Sequence, residues 1–273
     1  AEQSIVLMKN NDKVLPLDES EDDIAIIGEL AHNPRYQGSG SSRINPYKLV
    51  NFLDAMEQNG KKYEFAPAYN VNSDKLDEKL LEEAIAVAKK HKKVLLFVGL
   101  TDQYESESYD RRHMSIPKSH SDLIEVMTSI NPNTVVVLFG GSPVVMPWID
   151  KVGTMLNAYL PGEAGGEALY NVIFGKVNPS GKLAETYPIK EEDNIVSKYF
   201  PMGPKNVEYR ESIYVGYRYF DSANKNVLFP FGYGLSYTTF EYSDLKIDGM
   251  EVSYNVTNTG KADGYEVCQL YIS

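Results

Sequence analysis

Cysteine is almost absent, with Cys268 alone among 273 residues. A single thiol excludes an intrachain disulfide framework and any zinc site built from cysteines. Lying in the alternating run Val267–Ile272, it reads as a small buried hydrophobe. Tryptophan is equally scarce, and Trp148, which follows Pro147 at a helix start, reads as core packing. The four histidines show no ligand spacing, so no metal is expected, and no cofactor-binding signature accompanies them. No stretch approaches the roughly 20 apolar residues of a membrane span. Positive charge is also short, because 27 Lys and Arg against 38 Asp and Glu leave a net charge of −11. That balance sets aside nucleic acid and anionic membranes as partners, since both need clustered cations. An initiator Met is missing as well. The chain opens on Ala1-Glu2-Gln3-Ser4 and stops at Tyr271-Ile272-Ser273 inside a strand-like alternation, so it reads as a piece of a longer polypeptide.

Apolar runs are present and short. Asp23–Gly28, Lys93–Gly99 and Thr134–Gly140 each end on Gly, and Gly153–Tyr159 is a weaker fourth. Such runs are expected as strands of a parallel sheet buried on both faces. Between them Asp74–Lys90 carries Leu76, Leu80, Ala84, Val87 and Ala88 at helical spacing, with acidic residues early and lysines late, as the helix dipole favours. Tyr47–Gln58 and Ser121–Ile130 read as further amphipathic helices. Gly165-Gly166, near another helix start, reads as a place where backbones pack closely. The fold class is therefore α/β, a doubly wound, mostly parallel sheet in an α/β sandwich spanning 1–200.

Beyond Pro188 the periodicity stops and aromatic residues crowd the chain. Residues 201–238 read as an ordered connector whose Tyr214, Tyr217, Tyr219, Phe220, Phe229, Phe231 and Tyr233 are expected to be buried against a domain surface. From Phe240 the period becomes two, in runs at 240–245, 251–256 and 267–272, so 239–273 reads as an incomplete β-sandwich of three strands. Open strand edges invite association, and a homo-oligomer is one expected partner.

The candidate chemistry lies in Tyr104-Glu105-Ser106-Glu107-Ser108-Tyr109-Asp110-Arg111, which follows the run 94–100. Carboxylates there would stand at the carboxyl end of a buried strand, where open α/β sheets keep their chemistry. One of them could serve as a general acid/base, and a solvated charge run explains the same residues. Gly38-Ser39-Gly40-Ser41-Ser42 is rich in Gly, but no Lys-Ser/Thr follows its second Gly, so it is not a nucleotide-binding loop.

Together with that acidic loop and the Gly/Ser loop, several segments fall in one familiar order: 4–10 with 14–17, 160–168 (Leu-Pro-Gly-Glu-Ala-Gly-Gly-Glu-Ala), 178–183, 215–220 and 229–237 (Phe-Pro-Phe-Gly-Tyr-Gly-Leu-Ser-Tyr). Over essentially 1–273 the chain resembles the carboxy-terminal part of glycoside hydrolase family 3 enzymes of the β-glucosidase type, ending in the start of a fibronectin-III-like domain. The resemblance implies retaining hydrolysis of β-linked glucosides or oligosaccharides, with a nucleophilic Asp on a (β/α)8-type barrel domain that this chain lacks. Retention needs two carboxyl groups about 5–5.5 Å apart, so the chain alone is expected to be inactive. Matched residue by residue, the acid/base falls on Glu107, with Glu105 as runner-up. Ser108 stands where the family has Gly, which permits backbone angles that Ser resists. Ser41, and less strongly Ser39, would lie near the sugar hydroxyls, while Asp110 and Arg111 would hold the loop by ion pairing. A β-xylosidase of the same family, and a non-catalytic carbohydrate-binding or scaffold module, are the alternatives.

Overall fold

Six strands form the central sheet. Their ranges are β1 (Val6–Asn10), β2 (Ile24–Ile27), β3 (Glu64–Ala66), β4 (Lys93–Gly99), β5 (Thr134–Phe139) and β6 (Thr154–Tyr159), in the computed structural model, which describes residues 1–11, 13–200 and 205–272. Their spatial order is β1-β6-β5-β4-β2-β3, parallel throughout except for β1, which runs antiparallel to β6 at the edge. Every residue of β2 and β5 is buried, as is all of β4 after Lys93, which explains their near-continuous Val, Ile and Leu content. The sequence reading anticipated four of these strands. It missed β3, which is only three residues long, and β1, whose apolar run it assigned to no strand.

The helices α1 (Phe52–Gln58), α2 (Glu78–Lys90), α3 (Lys118–Ile130) and α4 (Gly165–Ile173) wrap the sheet. The winding leaves β2 in one direction towards β3 and then returns across β4, β5 and β6. Right-handed crossovers therefore put α1 on one face and α2 and α3 on the other. In agreement, α1 packs on α4 and α2 on α3. Two helices start later than their apolar periodicity suggests, because a polar side chain caps each of them. Asn51 and Asp54 form a reciprocal capping box that opens α1, and the Asp77 carboxylate accepts the Lys79 and Leu80 amides that open α2. Gly166 is required where α4 meets this cap, since a Cβ there would lie 2.1 Å from the Asn51 carbonyl oxygen. Trp148 and the side chains around it are core.

The connector departs in part from expectation. Phe220 and Phe229 are buried, the Tyr233 hydroxyl donates to the Met8 carbonyl at 3.1 Å and the Tyr237 hydroxyl to that of Val172 at 2.9 Å. A short helix, α5 (Tyr217–Ser222), also forms there. Tyr214, however, is 48% exposed and the neighbouring Tyr209 80%, so the connector does not bury all its aromatics. Pro201 and Pro204 lie outside the described residues. The tail forms a two-stranded antiparallel sheet, β7 (Phe240–Asp248) and β8 (Glu251–Asn258), turning at Gly249. The expected third strand at 267–272 is not one, and Cys268 is exposed rather than buried. Among the described residues no second layer packs on this hairpin, so the faces on which those side chains would bury stay exposed. Among the described residues no helix is long and apolar enough to cross a membrane.

Candidate active site

The strand order reverses between β2 and β4, and the loops leaving their carboxyl ends, 28–51 and 100–117, meet above the sheet. This is the position at which doubly wound sheets hold their ligands. Both predicted site loops lie here. The Gly/Ser loop belongs to the first connection and the acidic loop to the second.

Glu105 sits at the root of the acidic loop, where it accepts four donors. The Arg35 guanidinium donates to its Oε2 at 2.6 Å and to its carbonyl at 2.7 Å, the Gly141 amide reaches Oε2 at 2.8 Å, and the Ser142 hydroxyl holds Oε1. Partial burial pushes the Glu105 carboxyl up, but the Ser142 and Gly141 hydrogen bonds and the Arg35 charge outweigh it and leave the group below its ordinary value. Glu105 is therefore an ionised anchor whose lone pairs are committed. Arg35, itself 6% exposed, ties the loop after β2 to the loop after β4.

Glu107, two residues on, is exposed at the crest. Its amide reaches the Ser39 carbonyl at 3.4 Å, and its Oε2 accepts the Ser41 amide. The Ser41 hydroxyl and amide hold this carboxyl below its ordinary value, against a small opposing effect of burial. Gly40 makes this approach feasible, since at φ +90° a Cβ would stand 2.4 Å from the Glu107 Cβ and 2.7 Å from its Oε2. The fold thus brings Ser39, Ser41 and Glu107 together. Ser39 contributes its carbonyl while its hydroxyl is buried without a partner, and Ser41 is exposed.

Ser108 has φ +80°, the left-handed region that favours glycine. The loop keeps the backbone path a Gly would take, at a cost of about 1–2 kcal/mol. Arg111 forms no ion pair among the described residues. It donates instead to the Ser142 hydroxyl and the Pro143 carbonyl, both at 2.9 Å, so it holds the loop by hydrogen bonds. Asp110 is exposed and makes no ion pair among the described residues. Sequence reasoning overlooked Arg35, Gly141 and Ser142. The last two follow the buried β5 as Gly140-Gly141-Ser142, a pattern that puts free donors at the carboxyl edge. Arg35 carries no local signal, because its partner is 70 residues away.

Residues 5–237 match the sequence model of the glycosyl hydrolase family 3 C-terminal domain. The chain belongs to glycoside hydrolase family 3. It is 48% identical to thermostable beta-glucosidase B of Acetivibrio thermocellus, over 100% of this chain and 37% of that protein. It is 41% identical to an exo-alpha-(1->6)-L-arabinopyranosidase of Bifidobacterium longum, over 99% of the chain and 38% of the relative. A crystal structure of the family 3 beta-glucosidase of Bifidobacterium adolescentis superposes with a TM-score of 0.92 at 41% identity, covering 96% of this chain and 40% of that one. The beta-glucosidase 3B of Thermotoga neapolitana, solved in complex with glucose, gives a TM-score of 0.79 at 29% identity, covering 94% and 40%. The chain thus spans well under half the length of these family 3 relatives.

Proposed function

We propose that this chain supplies the general acid/base of a retaining β-glucosidase, with Glu107 in that role. The observation that carries the reading is the unequal use of two neighbouring carboxylates. Glu105 is held ionised by Arg35, Gly141 and Ser142, whereas Glu107 presents its carboxyl to solvent and is held by Ser41 alone. A group that must give up a proton and take one back needs a free lone pair facing the substrate.

In the first step Glu107 protonates the departing glycosidic oxygen while an Asp of a barrel domain outside this chain attacks the anomeric carbon. In the second, Glu107 takes a proton from the water that releases the sugar. Ser41 favours the ionised carboxylate suited to the second step. The barrel raises the carboxyl for the first, by excluding water and by bringing the negative charge of its Asp close. Ser39 and Ser41 frame the sugar-facing side of the site, and Arg111 fixes the base of the loop. The partner is the barrel domain of the same enzyme.

This chain by itself is expected to release no p-nitrophenol from p-nitrophenyl β-glucoside, whereas the polypeptide that joins it to its barrel hydrolyses the glycoside. Turnover by the separate chain would contradict the shared site. The 41% identity to arabinopyranosidases motivates a second reading of the sugar alone. Relative kcat/KM for aryl β-glucoside, β-xyloside and α-L-arabinopyranoside decides it without touching the role of Glu107.

A further inference from the structure

Exposed apolar side chains crowd one part of the molecule beside the candidate site. Among the described residues, three large apolar side chains stand exposed in 1–188, those of Ile44, Tyr47 and Tyr109, against eight in the two stretches 189–200 and 205–215. Single exposed apolar residues are ordinary on a protein surface. A cluster at this density marks a contact surface.

The second stretch is also turned inside out. Glu211 is buried, whereas Ile213, Tyr214 and Val215 beside it are exposed, Ile213 to 65%. Backbone hydrogen bonds fix this presentation, with the Tyr214 amide donating to the Glu211 carbonyl at 2.9 Å and the Val215 amide to that of Ile213 at 3.0 Å. The two stretches lie side by side, because the Arg210 guanidinium sits over the Tyr199 ring, 5.4 Å from its centroid. That contact brings Phe200 and Tyr209, the next residues along, into one neighbourhood. A surface meant for water would be arranged the other way, with the acid outside and the apolar side chains within.

The position of this face says what covers it. Glu191, near its start, accepts the Met114 amide at 2.9 Å, and the Asn194 side-chain amide donates to the Met114 sulfur at 3.0 Å. Met114 lies just beyond the acidic loop, so the face continues the carboxyl edge on which Glu107 stands. Retention brings the nucleophilic carboxyl group within about 5–5.5 Å of the acid/base, and the domain that carries it must sit on that edge. There is chain enough for such a domain, since 37% and 38% of two relatives are spanned here and a barrel takes about 250 residues.

We infer that the apolar face formed by 189–200 and 205–215 is the seat of the barrel domain, with Tyr209, Ile213 and Tyr214 as its central contacts. The identity of the partner rests on the proposed glycosidase reading, whereas the face itself rests on the exposure of these side chains. Burying them against apolar barrel side chains drives the association and fixes the distance from the barrel carboxyl group to Glu107. Tyrosine suits this contact, because its ring is buried while its hydroxyl stays at the wet rim.

The test is photo-cross-linking of the full-length polypeptide with p-benzoylphenylalanine in place of Tyr209 and, separately, of Ile213. Both side chains are exposed, so the fold of this chain tolerates the change. Irradiation and peptide mapping are expected to join each position to a barrel peptide of the same molecule, in a yield that dilution does not alter. Lys89, exposed in the last turn of α2 at the opposite edge of the sheet, is the control position and should give no barrel cross-link. Cross-links to a second copy that fade on dilution, cross-links to polypeptide outside the barrel, or no cross-link at all would each overturn the inference, as would an equal yield from position 89. Undiminished hydrolysis by Glu107→Gln would sink the acid/base reading alone, whatever the cross-links show.

Discussion

The root and the crest of the acidic loop are two residues apart and use the same side chain for opposite ends. At the root, Glu105 is packed, charge-paired and saturated with donors, and it joins three loops by Arg35, Gly141 and Ser142. At the crest, Glu107 is exposed and held through the Gly/Ser loop alone. A carboxylate that organises structure spends its lone pairs on the protein, and one that does chemistry must keep some for the substrate. Adjacent acids in a sequence can therefore be told apart by their donors, even where residue type and spacing cannot separate them.

Removing each carboxylate should break the comparison in opposite ways. Glu105→Ala strands the buried Arg35 guanidinium and is expected to lower the stability of the full-length polypeptide by about 3–5 kcal/mol, read by denaturant unfolding. A loss no larger than that of an exposed Glu would mean the root is not an anchor. Gly40→Ala should cost less, about 1–3 kcal/mol, because the new methyl group collides with Glu107 and the backbone is left-handed. Its effect on kcat should exceed what that stability loss explains. Ser108→Gly should be a gain, of about 0.5–1 kcal/mol, since the backbone is already where a glycine would put it. An unchanged or lower melting temperature would show that Ser108 is not strained.

The smallest expected effect is on acid stability. The Glu105 carboxyl titrates below its unfolded value, so its contribution is present above that value and disappears as pH falls through the folded one. Wild type should therefore lose stability more steeply than Glu105→Gln below about pH 4.

Much of this arrangement was legible in the sequence. Buried strands announce themselves by unbroken apolar runs, and β2, β4, β5 and β6 were found that way. The acidic loop was expected at the sheet's carboxyl edge for the same reason, and the Gly/Ser loop meets it there. The three-residue β3 was too short for any period to show, and β1 passes after Met8 into the polar Lys9 and Asn10 with no Gly to close its apolar run. Arg35 was invisible because pairing across 70 residues leaves no local pattern. The tail failed differently. Its alternation is real, but β7 and β8 leave nearly every residue exposed, and the run at 267–272 makes no strand. Alternation marks a face that can be buried, and another layer must still cover it. Hydrogen exchange should accordingly be slowest in β4 and β5 and fast across 240–258 wherever no further layer covers the hairpin.

The most direct test of the division between root and crest is hydrolysis of p-nitrophenyl β-glucoside by the full-length polypeptide carrying Glu107→Ala, with and without azide. Azide attacks the glycosyl-enzyme without needing a general base. The expected result is a fall in kcat of about 10²–10⁴-fold, partly restored by azide with formation of glucosyl azide, at an unchanged melting temperature. Full activity in Glu107→Ala, or azide rescue appearing in Glu105→Ala instead, would contradict it.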